Sequence, residues 1–156
     1  MRTIKFRGYN RKNEKWLYGF YLQNRGLHFV CPDEFATGKT LDDYEIDPET
    51  LGQFTGECDK NDTEIYEGDI MRSDDYPFSD GREKDSYLGV VFYTEDDSFE
   101  VMQFVTKQSK VRGISNFINR PFYDINMQQV EVIGNIYDNQ GLFRDSDEKI
   151  MEWYNS

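Results

Sequence analysis

Apolar and polar residues alternate with a period of two over much of this chain, the spacing of half-buried β-strands. Over residues 3–8 the alternation places Ile4 and Phe6 on one face and Thr3, Lys5 and Arg7 on the other. The polar stretch Asn10-Arg11-Lys12-Asn13 predicts a turn, and Trp16, Tyr18, Phe20 and Leu22 resume the alternation as the return strand of a hairpin. Asn24-Arg25-Gly26 predicts a second turn into a short strand from Leu27 to Val30, ended by Pro32, which has no amide to give a ladder. Residues 33–49 are acidic, keep no sustained period and predict a loop with one helical turn. Strand character returns at Leu51–Thr55. Asp59-Lys60-Asn61-Asp62 predicts a turn, and Ile65-Tyr66 and Ile70-Met71 flank another at Glu67-Gly68-Asp69. Residues 72–86 are the most polar stretch and predict an exposed acidic loop. Further strands are predicted at Leu88–Thr94 and Phe99–Val105, joined through Glu95-Asp96-Asp97-Ser98, and at Val130–Tyr137. Residues 112–128 carry no clear pattern, with Pro121 breaking any helix begun near Ser115. The tail 142–156 spaces Phe143, Ile150, Met151 and Tyr154 loosely along one helical face.

Seven to nine short strands with at most one or two short helices predict a mainly β fold, a small barrel or sandwich of mostly antiparallel strands. One domain over 1–156 is expected, comprising a basic hairpin region at 1–30, the acidic loop at 72–86 and a helical tail at 142–156. Composition sharpens this. A net charge of −12 would suit a disordered chain, but aromatic residues make up 16% of the sequence, too many for a solvated coil. No apolar run approaches the ~20 residues of a membrane-spanning helix. No basic segment followed by an apolar one opens the chain, so a cytoplasmic location is expected.

The charge is uneven. Residues 1–30 hold seven bases and one acid, giving +6, so the remaining residues sum to −18; residues 31–70 alone hold thirteen acids against Lys39 and Lys60. Two readings follow: basic strands of one copy could meet acidic loops of another, or the hairpin could neutralise acids of its own chain.

Several patterns that suggest chemistry fail on inspection. Ala36-Thr37-Gly38-Lys39-Thr40 ends like a phosphate-binding loop, but Asp33 stands where the first glycine is required. Asp59 to Glu64 begins like a calcium loop, yet the sixth position is Glu64 rather than Gly and the twelfth is Ile70 rather than Glu. His28 and Cys31 have an H-x-x-C spacing without the second pair that a structural zinc site needs. With His28 the sole histidine, a Ser-His-Asp or Cys-His mechanism has a single candidate base and no G-x-S-x-G elbow beside it. Thirty acids offer many carboxylate pairs, but spacing selects none. No catalytic residue, metal or cofactor is expected. A nucleic-acid interface could use Lys5 and Arg7 with Tyr9 and Tyr21 nearby, against the opposing net charge; the acidic pairs Asp42-Asp43, Asp74-Asp75 and Asp96-Asp97 could instead imitate phosphates.

Two longer motifs remain. Thr50-Leu51-Gly52-Gln53-Phe54-Thr55-Gly56, followed by Asp59-Lys60-Asn61 and Glu64-Ile65-Tyr66-Glu67-Gly68-Asp69-Ile70, closely resembles the signature of the YopX-like family of bacteriophage and prophage proteins. Val132-Ile133-Gly134-Asn135-Ile136-Tyr137-Asp138-Asn139 resembles its closing motif, and Ile4-Lys5-Phe6-Arg7 with Trp16 its first hairpin. The resemblance implies a phage or prophage origin, a mainly β fold and self-association, with no established activity. Two departures stand out. Asp62 occupies a position where the family pattern has Gly, so it must take up a backbone conformation that Gly adopts more easily, and 72–86 is longer than the pattern suggests.

Within the motifs, Gly52, Gly56, Gly68 and Gly134 are expected to permit tight turns, and Phe54, Tyr66 and Tyr137 to supply buried area. Polar groups set among apolar ones mark the expected binding positions: Gln53, Asp69, Asn135 and Asp138, together with Lys5 and Arg7 of the hairpin. The function expected is that of a non-enzymatic, self-associating accessory protein. Its partners would be further copies of itself and host or phage proteins; nucleic acid is a less favoured partner, and no membrane association is expected.

Overall fold

The computed structural model describes residues 3–73, 87–93, 99–104, 118–121 and 125–139, and its regular structure is mainly antiparallel strand. The chain divides into two compact units, residues 1–56 and 57–156. In the first, β1 (Phe6–Asn10), β2 (Lys15–Asn24), β3 (Leu27–Cys31) and β4 (Gly52–Cys58) lie in the order β3-β2-β1-β4. The predicted turn at 10–13 is the β1–β2 hairpin, locked because the Asn10 side chain accepts from the Asn13 amide at 2.6 Å. β2 is long and changes neighbours along its length. Lys15–Gly19 pairs with β1 (Phe6 opposite Gly19), and Phe20–Asn24 pairs with β3 (Phe20 opposite Cys31). Gly19 sits at that change, and a Cβ there would overlap the Cys31 carbonyl, so only glycine lets the strands approach this closely.

Residues 33–49, expected as a loop with one helical turn, hold the 3-10 turn Leu41–Tyr44 and run into a second, Pro48–Thr50. Between them the chain straps the sheet. The Ile46 amide donates to the His28 carbonyl (2.9 Å) and the Asp47 amide to the Tyr9 carbonyl (2.8 Å). Phe29, Cys31 and Tyr44 form the buried cluster of this unit, with Leu17 and Leu41 packed against it.

In the second unit, the last residues of β4 lead through the predicted Asp59 turn to β5 (Glu64–Tyr66). β6 (Asp69–Ser73), β7 (Tyr87–Tyr93), β8 (Phe99–Phe104), β9 (Ile118–Pro121) and β10 (Glu131–Asn135) form an antiparallel sheet in the order β10-β6-β7-β8-β9. Its core brings together Ile65, Met71, Val91, Ile125 and Val130. The mainly β, antiparallel expectation therefore holds, realised as two open sheets rather than a closed barrel. Arg72 and Ser73, expected at the start of the acidic loop, belong to β6; the rest of 72–86, the 95–98 turn and the tail 142–156 lie outside the described residues.

Candidate functional site

The six positions expected to bind fall into two groups, and the structure gives most of them structural work. Phe6 stands opposite Gln53, and the Phe54 amide donates to the Lys5 carbonyl (2.8 Å), so Lys5, just ahead of β1, lies near Gln53 of β4. Arg7 is only 5% exposed, and its guanidinium carbon lies 4.9 Å from the centre of the Trp16 ring, which Tyr9 meets edge-on. It is therefore a packed side chain rather than an outward phosphate contact.

Asp69 and Asn135 stand opposite each other on β6 and β10, and both are buried. Asp69 accepts from the Tyr66 amide at 2.7 Å and closes the β5–β6 turn. Asn135 Oδ1 accepts from the amides of Tyr137 (2.9 Å) and Asp138 (3.0 Å), and Nδ2 of the same side chain donates to the Asp138 carboxylate (2.8 Å). Asn135 and Asp138 thus fold the turn after β10 upon itself.

The polar residue that sequence reasoning placed only in a turn is Asp59. It is 2% exposed, and its carboxylate accepts from the amides of Asn61 (2.8 Å), Thr63 (3.0 Å) and Val132 (2.8 Å). Burial alone would raise its pKa, but these three donors outweigh that and hold it below the ordinary carboxylate value. Its oxygens face backbone amides, which is what the failed calcium pattern becomes in the fold.

The basic hairpin tip meets acids of its own unit. Arg11 pairs with Asp47, while Lys12 and Lys39 lie 3.7 and 3.4 Å from Asp43. Asp43 also accepts from the Thr40 amide at 3.0 Å, and that bond, aided by the two lysines, lowers its pKa. Intramolecular neutralisation, one of the two readings of the charge asymmetry, is thus realised at these contacts. A cleft of about 380 Å³ lies here, lined by Asn10, Arg11, Lys12, Asp42, Glu45 and Asp47 among others. Counted by unit, residues 1–56 hold eight bases and eight acids, whereas 57–156 hold ten and twenty-two and so carry the whole −12.

His28 and Cys31, three apart on β3, point to opposite faces. The Tyr21 hydroxyl lies 2.7 Å from His28 Nδ1, and burial pushes the Cys31 thiol up in pKa. Cys58 is raised as well, first by burial and then by Glu64, Asp62, Asp59 and Glu57, so both thiols are held neutral. Among the described residues, no three His, Cys, Asp or Glu side chains gather as a metal site, and no helix is long and apolar enough to cross a membrane.

The alternating apolar set of the return strand shapes the surface of β2. Tyr18, Phe20 and Leu22 are 46%, 43% and 37% exposed, and Leu27 beside them on β3 is 46% exposed. The neighbouring positions carry Leu17 to the core and join Phe6, Tyr21 and His28 in a row of ring contacts at 5.7 and 5.8 Å. Apolar residues at both odd and even positions of 16–22 were the available signal, since a strand covered on one side only needs one such set. This uncharged apolar stripe is the candidate contact surface.

Comparison with known proteins agrees with the motifs. The family model described as YopX protein matches residues 5–144, across both units. The solved structure of protein EF1440 from Enterococcus faecalis is similar at 20% identity, with 89% of this chain and 96% of that one covered and a TM-score of 0.49. No curated protein matches.

Proposed function

The chain belongs to the YopX protein family, and from that premise we propose that it is a non-enzymatic, self-associating accessory protein of phage or prophage origin whose contact surface is the face of β2 bearing Tyr18, Phe20 and Leu22. The observation that carries this reading is the contiguous exposure of those residues with Leu27. Scattered apolar side chains are ordinary on a surface, but a row along one strand with its neighbour across the hairpin is the kind of patch that marks an interface. Charge supports the choice of partner. The first unit is neutral overall, so a second copy can approach it without the repulsion the −12 unit would impose. Three bases of the hairpin region are engaged locally, Arg7 beneath its neighbours and Arg11 and Lys12 on acids, which disfavours a nucleic-acid partner there. Neutral thiols and a carboxylate committed to backbone amides fit a binding role better than a catalytic one.

Size-exclusion chromatography with light scattering tests the reading. The wild type is expected above its 18.5 kDa monomer mass at micromolar concentration, and the double variant Phe20→Ser/Leu22→Ser at that mass with unchanged circular dichroism. A strictly monomeric wild type refutes it.

A further inference from the structure

We infer that the cleft between the hairpin tip and the strap binds a free basic amino acid such as lysine, a molecule with one carboxylate and two cationic groups. The site lies wholly within the first unit and does not depend on the β2 contact surface. Its walls come from two separate segments, the tip at 10–12 and the strap at 42–48. Both are fixed by the protein's own bonds. Asn10, 1% exposed, donates from Nδ2 to the carbonyls of Asp43 (3.1 Å) and Glu45 (2.8 Å), while its Oδ1 holds the Asn13 amide. At the far end of the strap, the Thr50 hydroxyl accepts from the Tyr9 amide (2.8 Å) and donates to the Asp47 carbonyl (2.7 Å). A cleft framed in this way needs little ordering when a ligand enters. Its volume of about 380 Å³ lies within the roughly 300–1,000 Å³ of small-molecule sites.

The ligand class follows from which charges along the cleft already have partners. Arg11 and Asp47 pair with each other. Asp43 is met by the Thr40 amide and by Lys39. Lys12 approaches Asp43 only to 3.7 Å, beyond hydrogen-bond length, so among the described residues its N–H donors remain open to a carboxylate. On the strap, the side-chain carboxylates of Asp42 and Glu45 line the cleft with no hydrogen bond or ion pair among the described residues. The cleft thus offers one ammonium and two carboxylates. Its complement carries one carboxylate and two cations, and the buried Ile46 with Pro48 gives the aliphatic stem between them an apolar surface to lie on. A diamine would leave Lys12 without a counter-charge, and an amino acid with an uncharged side chain would leave one of the two acids without one.

Titration of the isotope-labelled full chain with lysine, followed by amide chemical shifts, reads the site directly. Saturating shifts are expected at 10–13 and 42–48. Cadaverine, which lacks the carboxylate, and norleucine, which lacks the second cation, each bind about tenfold more weakly, the loss of one charged contact. A tripeptide ending in lysine has its α-amine acylated and weakens in the same way. Glu45→Gln and Lys12→Gln, both at exposed side chains, lower lysine affinity about tenfold while the rest of the spectrum is unchanged. Equal binding of lysine, cadaverine and norleucine, or full affinity in Glu45→Gln, would mean diffuse attraction to an acidic protein and overturns the inference. Tighter binding of the tripeptide than of lysine overturns the free amino acid as ligand, and shifts that fail to saturate by about 10 mM overturn the site itself.

Discussion

Replacing Asp59 by asparagine tests the structure at its most committed polar side chain. The carboxylate joins two things: Oδ1 holds the amides of Asn61 and Thr63, which shapes the turn, and Oδ2 takes the amide of Val132, seventy-three residues away. The Lys60 amide donates to the Val130 carbonyl at 3.1 Å beside it, so the turn covers the outer edge of β10, the end strand of its sheet. Asparagine keeps one oxygen for the turn but presents an NH2 to the Val132 amide. One charge-assisted bond is lost and a buried N–H is left unpaired, a cost of about 2–3 kcal/mol. For a unit of 100 residues that corresponds to a fall in Tm of about 10–20 °C. Asp59→Ala removes all three acceptors and costs about 3–5 kcal/mol. Because the folded pKa is lowered, the unfolded chain binds more protons in acid. The stabilisation is fully present above the unfolded value of about 3.9 and is lost as pH falls through the folded value. The wild-type advantage over Asp59→Asn should therefore hold down to about pH 4 and narrow below it. Urea unfolding followed by circular dichroism measures the magnitude, and hydrogen exchange of the peptides spanning 57–66 and 127–137 locates it. A difference under about 0.5 kcal/mol at pH 7, well below the cost of a single lost charged bond, would refute the latch.

Other substitutions read other parts of the fold. Asp62 has φ of +61°, so Asp62→Gly should raise stability by about 0.5–1 kcal/mol and Asp62→Ala should lower it, seen as opposite shifts in the urea midpoint. Asn10 donates to the carbonyls of Asp43 (3.1 Å) and Glu45 (2.8 Å). Asn10→Asp sets a carboxylate against those oxygens and should cost about 2–4 kcal/mol at pH 7. Its folded pKa is then raised, so stability returns as pH falls through that value, opposite in sign to Asp59, and a thermal melt series from pH 7 to 4 would show it. A Cβ at Gly134 would overlap the Asn139 carboxamide, which accepts from the Asn135 amide at 3.1 Å. Gly134→Ala should therefore cost about 1–3 kcal/mol, and a double-mutant cycle with Asn139→Gly should recover part of it.

What the chain discloses by itself is local. The 10–13 turn and the Asp59 turn are legible because each depends on neighbours within a few residues, while the left-handed Asp62 follows from the family pattern, which has Gly there. The Asp59 bond to Val132 is not, since no spacing rule links positions so far apart. Likewise Asn135 and Asp138, read as binding groups because they interrupt an apolar motif, spend their polar atoms on the turn between them. Alternation tells which side chains of β2 share a face, but not which face another layer covers. That is decided by the strap at Ile46 and Asp47, which comes from an acidic loop without periodicity. Phe29 and Cys31, which stand opposite Leu22 and Phe20, are buried in the cluster with Tyr44, yet Phe20 and Leu22 across from them stay 43% and 37% exposed. The aromatic richness that argues for a folded core thus also furnishes, among the described residues, a row of exposed apolar side chains on β2, while the excess negative charge belongs to residues 57–156.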